Sequence, residues 1–73
     1  MNTSEKIFSE IRNYANELIS DVKRGRETPQ LAARSIRNYG YGLAKATEIL
    51  LDTRSAAMII FETDRLADEL DDS

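Results

Sequence analysis

The side chains best equipped for chemistry in this sequence are the carboxylates Glu62, Asp64, Asp68, Glu69, Asp71 and Asp72, crowded near the C-terminus. Oxygen donors of this kind suit Mg²⁺ or Ca²⁺. Their order matches no calcium-loop spacing, however, and a run of charge on a helix is ordinarily a solvated face. Histidine and cysteine are both absent, which removes the commonest general base, the thiol nucleophile and the usual zinc ligands. Serines and lysines occur outside any recognisable catalytic motif. The glycines of Asn38-Tyr39-Gly40-Tyr41-Gly42 lack the preceding strand, the spacing and the lysine of a phosphate-cradling loop. No catalytic residue, metal or cofactor is therefore expected, and a binding protein is.

Charge separates along the chain. Residues 1–22 carry four acids and two bases, residues 23–45 six bases and one acid, and residues 46–73 eight acids and two bases. The middle block, Lys23, Arg24, Arg26, Arg34, Arg37 and Lys45, lies near Tyr39 and Tyr41, and cations interleaved with aromatics are what a nucleic-acid binder uses. The net charge of −3 opposes long-range attraction to phosphates. In an up-down-up bundle the acidic tail returns to the end that carries the basic block, so mutual neutralisation is the preferred reading and nucleic-acid binding the alternative.

Three helices are needed to position these groups. Ile7, Ile11, Tyr14, Leu18 and Val22 recur at helical spacing, with Phe8, Ala15 and Ile19 beside them. Thr3 or Ser4 is available as N-cap, and Gly25 stops the helix after Lys23 and Arg24. Thr28-Pro29 opens a second helix with proline at its first position. Its stripe, Ala32, Ile36, Tyr39, Leu43, Ala46 and Leu50, passes through Gly40 and Gly42 without losing register, so this stretch is read as helix. Each glycine costs only about 1 kcal/mol relative to alanine there, and alanine at either position is expected to be tolerated. Gly40 falls at the edge of the core face and Gly42 on a flank with Leu31, Lys45 and Ile49, where a second backbone could approach.

Between the second and third helices Asp52, Thr53 and Ser55 are all possible N-caps, but no glycine or proline marks a stop. Beyond them Ala56, Ile59, Thr63, Leu66 and Leu70 repeat, with Ile60 and Ala67 alongside. The pattern predicts helices over about 4–24, 29–52 and 55–70 in one all-α domain, a small antiparallel three-helix bundle. The alternative is a fused second and third helix, giving a two-helix hairpin that dimerises into a four-helix bundle.

Chains of this length usually need a disulfide, a metal or a partner subunit for stability, which favours self-association. The longest apolar run, residues 56–61, is far short of the roughly 20 residues that span a bilayer. The N-terminus lacks the apolar segment of a secretory signal, so a cytoplasmic protein without membrane contact is expected. Leu31, Tyr41, Gly42, Ile49, Met58 and Phe61 fall away from the core stripes. They are the expected protein-binding residues of a non-catalytic regulator or inhibitor that forms a homodimer. Met58 and Phe61 could instead fold under the second connection.

Overall fold

The computed structural model describes residues 2–72. It is a three-helix bundle of α1 (Thr3–Lys23), α2 (Pro29–Leu50) and α3 (Thr53–Asp71), with no strand among the described residues. The principal extents of 37 × 20 × 14 Å are those of a bundle one helix long, since α2 alone spans about 33 Å at 1.5 Å per residue.

Local chemistry sets the helix ends. Asn2, rather than the expected Thr3 or Ser4, caps α1, its side-chain oxygen accepting the Glu5 N–H at 2.8 Å. At the other end Gly25 takes φ 75°. There the Gly25 N–H donates to Val22 O at 3.0 Å and the Arg26 N–H to Asp21 O at 2.9 Å, the paired bonds of a Schellman motif. Thr28 caps α2 through the Leu31 N–H, with Pro29 at the first position. Asp52 caps α3, accepting from the Ser55 N–H at 2.6 Å and the Ser55 hydroxyl at 3.1 Å. These bonds lower the Asp52 carboxyl pKa, the Ser55 backbone bond foremost. Leu51 and Asp52 leave helical geometry between α2 and α3, so the fused rod and the two-helix hairpin do not form.

The chain runs down, up and down. Ser4 Oγ lies 3.2 Å from Ser55 Oγ, which brings the N-termini of α1 and α3 together at the end carrying the second connection, here called the upper end. Hydrophobic burial divides into two clusters. The lower one joins Ile11, Ala15, Ala32, Ala33, Ile36, Leu66, Ala67 and Leu70, with Tyr14, Leu18, Ile19, Val22 and Leu43 packed against it. The upper one holds only Ala44, Ala56 and Ile59, flanked by Ile7 and Phe8.

Two details depart from the periodic reading. Ala44 and Thr47 are buried in the C-terminal half of α2 while Ala46 and Leu50 face outward. The register explains the shift. Tyr39 stacks on Tyr14 with ring centroids 4.2 Å apart and donates to Glu10, so Leu50, eleven residues further up α2, is level with the first residue of α1, where that helix no longer covers it. Ile60 is likewise 41% exposed. The second departure concerns Gly40, which is buried against Thr63. A Cβ built there would lie 2.7 Å from Thr63 Cβ and closer still to its Oγ1 and Cγ2. Alanine is therefore not tolerated at this position without a shift of α2 from α3, whereas nothing lies within 4 Å of a Cβ at Gly42.

Candidate protein-binding surface

The run Ala56-Ala57-Met58-Ile59-Ile60-Phe61 sits on the first turns of α3, and six consecutive apolar residues coat every side of a helix. Only Ala56 and Ile59 reach the core. Met58 is 56% exposed and Phe61 75%, so neither folds under the connection. Ile49 and Leu50 at the end of α2 are exposed at 71% and 78%, with Leu51 beside them in the turn. Among the described residues, six of the nine large apolar side chains that stand exposed belong to residues 49–61. Leu50, Leu51 and Ile60 went unrecognised in the sequence, although the unbroken apolar run pointed to their neighbourhood.

Of the other expected binding residues, Leu31, Tyr41 and Gly42 are exposed on α2. Leu31 and Ile49 share a flank, yet they are about 27 Å apart along the helix axis, with Arg34, Asn38 and Lys45 between them on the solvent side. The Tyr41 hydroxyl donates to Asp64, and that bond is the first cause of its raised pKa.

A groove of about 490 Å³ opens between the upper halves of α1 and α3, next to Met58. Phe8, Met58 and Ile59 make its apolar lining, and Ser4 and Ser55 close it at the top. Arg12 edges it, its guanidinium 4.6 Å from the Phe8 ring centroid and 3.6 Å from Glu62. The Glu62 side chain is only 8% exposed and also accepts from Arg65. Arg65 is the main cause that lowers its carboxyl pKa, burial opposing, with Arg12 adding to the fall. The groove thus has an apolar floor and a polar rim that includes Glu5 and the Arg12–Glu62 pair, a shape that fits an apolar side chain.

Among the described residues the charge blocks meet at one point. Arg37 pairs with Asp68 at 2.8 Å and with Asp71 at 2.7 Å, and its pKa rises, the Asp71 bond contributing most. The other five cations, Lys23, Arg24, Arg26, Arg34 and Lys45, make no ion pair with another described residue. Neutralisation of the whole block is corrected to a single clamp on Arg37. Arg37 lies level with Asp68, so α3 ends before it reaches the first turn of α2 and the cations before it, while Arg34 and Lys45 face solvent.

Among the described residues no group of three or more acids could hold a metal ion, and no helix is long and apolar enough to cross a membrane. Compared with protein-family models, curated proteins and solved structures, the chain matches none.

Proposed function

We propose that this protein is a small non-catalytic regulator or inhibitor that binds another protein through the apolar surface of residues 49–61. The observation that carries this reading is that Ile49, Leu50, Leu51, Met58, Ile60 and Phe61 all stand exposed around the second connection and on the first half of α3, where the core is thinnest. Exposed apolar patches of several hundred Å² mark interaction sites. The groove at Phe8 and Met58 supplies an adjoining recess for an anchoring side chain.

Nucleic-acid binding through residues 23–45 is the second reading. It is favoured by Arg34 and Lys45, which face solvent on a helix with no acid from residue 29 to residue 47. It is opposed by Asp64, Asp68 and Asp71, whose contacts with Tyr41 and Arg37 line the edge of that face with negative charge. Affinity capture from native cells with wild type and with Ile49→Asp/Leu50→Asp separates the two. A protein retained by wild type, lost by the variant and indifferent to nuclease and salt supports the first reading. A nuclease-sensitive complex that weakens steeply with salt supports the second and overturns the first.

A further inference from the structure

We infer that the outward stripe of α3 docks a second copy of this chain, the two α3 helices packing antiparallel about a two-fold axis at Phe61. The inference rests on the reading of residues 49–61 as a protein-binding surface and names the first occupant of its Met58 and Phe61 portion. Arg54, Met58, Phe61, Arg65 and Asp68 are spaced four, three, four and three residues apart, which places them on one stripe of the helix. The centre of that stripe, at Phe61, faces solvent, because Ile59, Thr63, Leu66 and Leu70 occupy the opposite side, while Met58 borders the groove beside α1 and Asp68 reaches Arg37 of α2 at the margins.

The stripe is self-complementary. Arg54 precedes Phe61 by seven residues and Asp68 follows it by seven. An antiparallel copy centred on Phe61 therefore sets Arg54 against Asp68 of the second copy, and the two-fold repeats the pair at the other end. Met58 falls within one residue of the level of Arg65 of the second copy, whose charged head is paired along its own helix with Glu62 and Glu69, leaving its methylene stem as the apolar surface. Phe61 meets Phe61 at the centre. Arg54 makes no ion pair with another described residue of its own chain. Asp68 uses one carboxylate oxygen for Arg37 and keeps a side chain 66% exposed.

Side chains of this size hide roughly 100 Å² each. The symmetric pair thus buries on the order of 1,000 Å², the lower bound for a specific interface. An interface at that bound favours weak, concentration-dependent association. The flank of α2 with Leu31, Gly42 and Ile49 offers no comparable seam, because polar residues interrupt it.

Sedimentation equilibrium of the full chain from low to high micromolar concentration tests the inference. Wild type is expected to shift from monomer to dimer across that range. Phe61→Glu should remain monomeric with unchanged helicity by circular dichroism. Arg54→Asp and Asp68→Arg should each weaken association by roughly tenfold, and the double variant should recover most of it, since the swapped charges meet again across the two-fold. A wild type that stays monomeric at the highest concentration overturns the inference, and so does a dimer in which the double variant shows no recovery. Loss of a heterologous partner on Ile49→Asp/Leu50→Asp is read separately, so failure of the dimer and failure of the regulatory reading remain distinguishable.

Discussion

In the lower half of the bundle Ile11, Ile36, Leu66 and Leu70 meet among small alanines, and Tyr14, Leu18, Val22 and Leu43 close the margins. In the upper half Ile59 is the one large apolar side chain in the buried cluster, with Ala44 and Ala56 beside it, while Ile49, Leu50, Met58 and Phe61 stand outside. Both halves hold apolar residues; they differ in which way these point. A fold of 73 residues has little area to hide, so its stability must reside mainly where large side chains interlock. The upper half then carries apolar surface that the monomer does not use. That division of labour is what a binding protein needs: a half that holds the fold and a half that remains available.

The sharpest way to break this contrast is to truncate one large side chain in each half. Ile36 is fully buried, and Ile36→Ala should cost about 2–5 kcal/mol, much of what a domain of this size has in total. Phe61→Ala should change the stability of the monomer by less than about 0.5 kcal/mol. Urea unfolding at low micromolar concentration compares the two. Similar losses would mean that the halves do not differ in the way the packing shows.

A smaller effect is expected at the two glycines, which differ by position and not by type. Gly40→Ala drives a methyl group into Thr63 and should destabilise by about 1–3 kcal/mol. Gly42→Ala meets open space and should stabilise by up to about 1 kcal/mol. Adding Thr63→Ala to Gly40→Ala removes two of the three clashing atoms, so thermal unfolding should show partial recovery. If Gly40→Ala is as stable as Gly42→Ala, the close approach of α2 and α3 is absent in solution.

The smallest effect concerns Glu62, which ties α3 to α1 through Arg12 and pairs with Arg65 on its own helix. Glu62→Gln should cost about 1 kcal/mol at neutral pH, because both arginines are partly exposed and can rehydrate. The carboxyl pKa is lower in the folded state than its ordinary 4.5. Its contribution is therefore complete above about pH 4.5 and is lost as pH falls from there through the folded value. Urea midpoints of wild type and Glu62→Gln should accordingly converge under acid conditions. A gap that persists unchanged at low pH would remove Glu62 as its source.

The sequence by itself determined the all-helical class and, to within one or two residues, the helix ends, because capping, proline at a first turn and apolar spacing act within a few residues; that α2 and α3 part at Leu51 and Asp52 was decided only by the structure. It also determined that Met58, Phe61 and Ile49 fall off the core stripes, since a helical angle needs only residue numbers. Which half of α2 presents which face, and whether Gly40 or Gly42 admits a neighbour, was decided by the tertiary structure. Those answers depend on where α1 begins beside Leu50 and on which residue of α3 lies level with Gly40, distances set by the packing of segments remote in the chain. The pairing of Arg37 alone with the acidic tail was decided in the same way: composition reveals two opposite charge blocks, but only the relative lengths and register of α2 and α3 determine which charges come within reach.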